Sequence, residues 1–177
     1  MSGGHLPPAV VPAAERVEEL RRMRLSPPLI RMTGGRYPHD LLRDIYAAPS
    51  LYSESGLNVS RLATPIVPLW DRGDSVHAVR RFSGGLLFLE VDIEDPTVGL
   101  PLARTEAGYW AGQIDFLYES DEPTATLRAV ASSVGFEHLD FQLASRTAAE
   151  PRLGTHEGHA TWLAAFVADI DRRHEQK

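Results

Sequence analysis

The chain has 177 residues, a formal net charge of −6, 43% hydrophobic residues and 24% charged residues. These proportions suit a folded domain and exclude general disorder, a collagen-like repeat and a coiled coil. No apolar run nears the ~18 residues of a membrane span and no cationic–apolar leader is present, so a cytoplasmic protein is expected; without cysteine there are no disulfides, thiolate metal sites or cysteine nucleophile.

Residues 1–13 (MSGGHLPPAVVPA) are expected to form a flexible lead-in to a single domain over 14–177. The pattern AERVEELRRMRL predicts a helix from Ala14 to Leu25, with Glu early and Arg late to suit the helix dipole. Ser26-Pro27-Pro28 should stop it, Leu29–Met32 reads as a short strand, and Thr33-Gly34-Gly35 as a turn. A second helix is predicted over Pro38–Ala48, with Leu41, Leu42, Ile45 and Tyr46 as its apolar stripe. Residues 49–63 read as loop.

The centre alternates. Leu87, Leu89, Val91 and Ile93 interleave with Phe88, Glu90, Asp92 and Glu94, the pattern of a strand buried on one face. Ser75–Phe82 is a second strand, and a Gly84-Gly85 loop would pair Phe82 with Leu87, Ala78 with Val91 and His77 with Asp92. The turn Asp71-Arg72-Gly73-Asp74 leads back to a strand over Thr64–Trp70, which Pro65 and Pro68 confine to an edge or a bulge. The result is an antiparallel meander over about 64–94 with one apolar face.

Helices return after it. Thr105 should cap a helix carrying Trp110, Ile114 and Leu117, and Asp121-Glu122-Pro123 opens another that Gly135 ends. Phe136–Ala144 reads as a late strand, and Gly158–Arg173 as a final helix. Strands grouped together with helices around them argue an α+β fold: a central mixed, mostly antiparallel sheet flanked by helices.

Charge is concentrated. Between Glu90 and Glu122 nine acids stand against the single base Arg104. Such a stretch repels phosphate backbones, which argues against nucleic-acid binding, and attracts a basic partner. The blander reading is a solvated acidic surface. Alternation places Glu90, Asp92 and Glu94 on the hairpin's outer face beside His77 and Trp70. Three carboxylates and an imidazole suit metal binding or acid–base chemistry. The same acids also keep an exposed strand soluble and block edge pairing. An exposed Trp70 among charges has the composition of an interaction anchor. His156-Glu157-Gly158-His159 spaces its histidines three apart, where the zincin pattern needs four. Phosphate-loop, dinucleotide-loop and nucleophile-elbow motifs are absent, so no catalytic residue, metal or cofactor is assigned. Gly108 and Gly112 share a helix face with Asp115 and Glu119, which points to close helix packing.

The order of these patterns resembles the SUKH superfamily of bacterial immunity proteins. The stretch runs from about Ser60 to Asp140: P-I-V-P-L-W (65–70), the D-R-G-D turn, S-V-H-A-V, L-L-F-L-E-V-D-I-E-D-P (86–96), F-L-Y-E (116–119) and L-R-A-V-A-S-S-V-G-F (127–136). Upstream, Y-P-H-D-L-L-R-D-I-Y (37–46) is similar to the family's early helix, although Ala48–Leu57 lacks the Asn-Gly turn often found there. The resemblance implies a non-enzymatic protein that binds and neutralises a cognate secreted toxin, often a nuclease. The family lends no interface residues, because its interfaces vary with the toxin. Trp70, His77, Glu90, Asp92, Glu94, Asp121 and Glu122 are candidates from alternation and charge alone. The alternatives are a small metal-dependent hydrolase using His77 with the same acids, and a regulatory scaffold of the same fold.

Overall fold

The computed structural model describes residues 10–49, 65–92 and 99–175. Among these described residues seven helices and four strands follow in chain order: α1 (Ala13–Arg22), α2 (Pro27–Met32), α3 (Asp40–Ile45), β1 (Val67–Arg72), β2 (Ser75–Phe82), β3 (Gly85–Asp92), β4 (Gly99–Ala103), α4 (Glu106–Glu119), α5 (Thr124–Val134), α6 (Leu139–Leu153) and α7 (His156–Glu175). The strands form one antiparallel meander in the order β1-β2-β3-β4, and the fold is α+β. β1 lies at an edge and carries a bulge between Pro68 and Trp70, both consequences of prolines that cannot donate to a ladder.

The β2–β3 hairpin departs from the predicted register by two residues. Phe82 pairs with Gly85, Val76 with Val91 and His77 with Glu90, leaving Ser83-Gly84 as the loop. Gly85 adopts φ +130°, which suits glycine and lets it open the strand. A slip of two preserves which side chains share a face. His77 therefore stands beside Glu90, not Asp92, whose partner is Ser75.

Several predicted elements change type. Leu29–Met32 is the body of α2: the Ser26 side chain caps its start and Pro27-Pro28 occupy its first turn, where proline starts a helix. Phe136–Ala144 forms a turn and the first part of α6. β4 has no forecast, since Pro101 masked its strand character, and at the sheet edge that proline is tolerated. Of the predicted lead-in, residues 1–9 lie outside the described residues; Val11 donates to Ile66 O at 2.9 Å, and Ala13 opens α1.

The sheet is buried on both faces. Ile66, Val76, Ala78, Leu89 and Val91 form a small cluster on one side. On the other, Val67, Trp70, Val79 and Phe88 join the main core, which includes Leu20 of α1, Leu29 of α2, Tyr109, Trp110 and Ile114 of α4 and Val130 of α5. Thr105 caps α4 by accepting from the Gly108 amide, and Asp171 of α7 accepts from the Arg104 and Thr105 amides at 2.8 and 2.9 Å. These contacts fix α4 and α7 over the sheet.

Candidate functional site

The face that alternation assigns to solvent is the seat of α4, and this corrects two expected positions. Trp70 is fully buried, its ring 5.1 Å from Tyr46, 5.6 Å from Tyr109 and 6.0 Å from Trp110. His77 is 1% exposed, and its Nδ1 lies 2.5 Å from the Tyr109 hydroxyl. Phe88, on the same face, stacks on Tyr109 at 4.8 Å. Neither Trp70 nor His77 can touch a partner from the surface. Alternation fails as a guide here because both sheet faces are covered. Of the other candidates, Glu90 is half-buried, Asp92 and Asp121 are exposed and Glu122 is half-exposed; Glu94 lies outside the described residues.

Between β2–β4, α4 and α7 lies a cleft of about 860 Å³, within the usual range for a ligand-sized pocket. Its floor holds His77, Tyr109, Glu90 and Arg72; its apolar walls include Leu100, Leu102, Phe116, Leu163 and Val167. Arg72 lies with Cζ 3.7 Å from the centre of the Phe116 ring, a cation–π contact. The Tyr46 hydroxyl donates to Gln113 Oε1 at 2.6 Å, fixing another polar group of the lining. Burial, with the Arg72 charge a smaller cause, lowers the His77 pKa to about 3, so the imidazole is neutral at physiological pH. Its Nε2 has no hydrogen-bond partner among the described residues. Burial likewise raises the Tyr109 pKa, so the phenol keeps its proton.

The two helical glycines divide. A Cβ on Gly108 would stand 2.1 Å from Asp171 Oδ1, so close packing of α4 on α7 requires glycine there. A Cβ on Gly112 would meet nothing within 4 Å, because Gly112 opens onto the cleft.

At one end of the cleft a charged knot joins α4, α6 and α7. The buried Asp115 carboxylate meets Arg146 on one oxygen and His159 Nε2, at 2.8 Å, on the other. Arg146 also reaches Glu119 and lies 4.2 Å from the centre of the Tyr118 ring. Desolvation raises the Asp115 pKa, opposed by the Arg146 and His159 charges. Sequence spacing could not find this knot, since its members lie on three separate helices; the signal was an acid at an otherwise apolar helical position, with Ile114 and Leu117 beside it.

The C-terminal end of α4 gathers acids. Arg72 packs on Phe116, Arg72 pairs with Ser75, and Ser75 pairs with Asp92. These links set the Arg72–Ser75–Asp92 end of the sheet against the C-terminal part of α4, after which Asp121 and Glu122 follow in the chain. Asp74, Asp92, Glu119 and Asp121 are exposed, and Tyr118 is 40% exposed. Asp121 holds φ +60°, a left-handed conformation that acidic side chains tolerate, and so ends the helix with its carboxylate outside.

Among the described residues no three His, Asp or Glu side chains come together as a metal site. Nor is any helix of the described residues long and apolar enough to cross a membrane. Compared with known proteins, the chain matches no family model, no curated protein and no solved structure.

Proposed function

We propose that this chain is a non-catalytic binding protein of the immunity type, which holds a basic, nuclease-like protein toxin in the cytoplasm. The observation that carries the reading is the run of exposed or half-exposed acids Asp74, Asp92, Asp121 and Glu122 that flank the Arg72–Phe116 contact in register and sequence, Glu119 being held by Arg146. A nuclease toxin needs a basic cleft for phosphate, and a carboxylate-rich end can occupy it while raising the encounter rate. Tyr118, 40% exposed beside Arg146, is the aromatic neighbour of these acids in the chain. With Trp70 and His77 in the core, the proposed interface reduces to these acids; nucleic acid and membrane are not expected partners. The pattern resemblance to the SUKH superfamily adds the immunity role.

The test is to read the genes on either side of this chain's gene for a basic toxin domain, to co-express any such domain with the chain, and to titrate the purified pair by calorimetry. Rescue of growth with a tight complex is expected. A neighbouring toxin that neither binds nor is neutralised overturns the immunity role. The regulatory-scaffold alternative predicts that second result.

A further inference from the structure

Independently of the partner reading, we propose that the cleft between the sheet, α4 and α7 binds a neutral amphipathic small molecule: an apolar body with one uncharged hydrogen-bonding head. Three observations carry it. The cavity of about 860 Å³ has room for a molecule of drug-like size. His77 lines its floor, and the Nε2 of this side chain, buried with only 1% of the residue exposed, has no partner among the described residues. A buried polar atom without a partner costs free energy, which a ligand head seated on it would recover. Third, α4 places glycine at position 112 where an added Cβ would meet nothing, so the helix opens the cavity at its own cost in helix propensity.

The charges choose the head. The lining carries both signs: Arg72 and Arg104 stand with Glu90, while Asp115 and Glu119 are paired with Arg146 and Asp171 accepts from backbone amides. A charged head would gain against one sign and lose against the other. The imidazole itself stays uncharged and offers only a hydrogen bond. Leu100, 60% exposed at the β4 wall, leaves the mouth open for an apolar body.

Fluorescence titration of the full chain with N-phenyl-1-naphthylamine, a neutral probe with one N–H, tests the site. Saturable one-to-one binding with Kd on the order of 10 μM is expected. Gly112→Phe and Ala164→Trp fill the cleft from opposite walls, and each should weaken the probe at least about tenfold without loss of the folded far-ultraviolet spectrum. Ala164 is exposed, so its variant keeps the test valid if Gly112→Phe fails to fold. Octanamide should displace the probe better than octanoate or octylamine. Absent or non-saturable binding, unchanged binding in Ala164→Trp, or equal displacement by a charged competitor overturns the proposal.

Discussion

The Tyr109 hydroxyl meets His77 Nδ1 at 2.5 Å, and with this bond α4 sits on the sheet face that carries the acids of β3. The folded His77 pKa of about 3 stands against 6.5 in the unfolded chain. Between these values the unfolded chain takes up a proton that the folded one refuses. Stability is therefore full above pH 6.5 and falls as the pH drops towards 3. The expected loss is on the order of 1 kcal/mol per pH unit. Urea denaturation at pH 7 and pH 5 should show it, and His77→Gln should flatten the difference.

Trp70 tests the corrected face directly. A surface anchor would tolerate truncation with little loss of stability, whereas a fully buried indole would not. Trp70→Ala should cost about 3–5 kcal/mol, read as a lowered urea midpoint. A variant as stable as the parent would return Trp70 to the surface.

Gly108 and Gly112 should respond in opposite directions to the same substitution. Gly108→Ala drives a methyl to 2.1 Å from Asp171 Oδ1, disturbing the carboxylate that caps the β4–α4 junction. A net loss of roughly 1–2 kcal/mol is expected after the helix-propensity gain. Gly112→Ala meets only open cleft and should gain up to about 1 kcal/mol. Thermal melts of the two variants side by side decide the matter.

Much of the architecture was legible because each element carried its own punctuation. β2 was read to the residue from alternation; Thr105 and Gly135 marked helix ends by capping chemistry that depends on neighbours in sequence. Leu29–Met32 misled because Pro27-Pro28 end one helix and start the next with the same residues. The site was less legible. Glu90 and His77 share a face as expected, but what covers that face is decided by α4, which begins 16 residues after Glu90, and by the still more distant α7. Alternation reports that two faces differ, not that the less apolar one is solvent-exposed. The Asp115–Arg146–His159 knot left only a single misplaced acid as its trace.

Arg146 is the charge that makes the buried Asp115 tolerable. Arg146→Met should cost about 3 kcal/mol at pH 7, since it leaves a buried carboxylate with His159 alone. Loss of that guanidinium pushes the Asp115 pKa further up, and a raised folded pKa means stability recovers as the pH falls through it. The deficit relative to the parent should thus be smaller at pH 5 than at pH 7, measured by urea denaturation.

The acidic end carries the proposed function, and one titration tests it most directly. The triple reversal Asp92→Arg, Asp121→Arg and Glu122→Arg changes side chains that are exposed or half-exposed, and with the cost of about 1 kcal/mol for Arg at the left-handed position 121 its melting temperature should fall by only a few degrees. Calorimetry against the basic toxin domain that the immunity reading requires should show a loss of at least about 100-fold in affinity for the variant. Undiminished binding by the reversed protein would contradict the account.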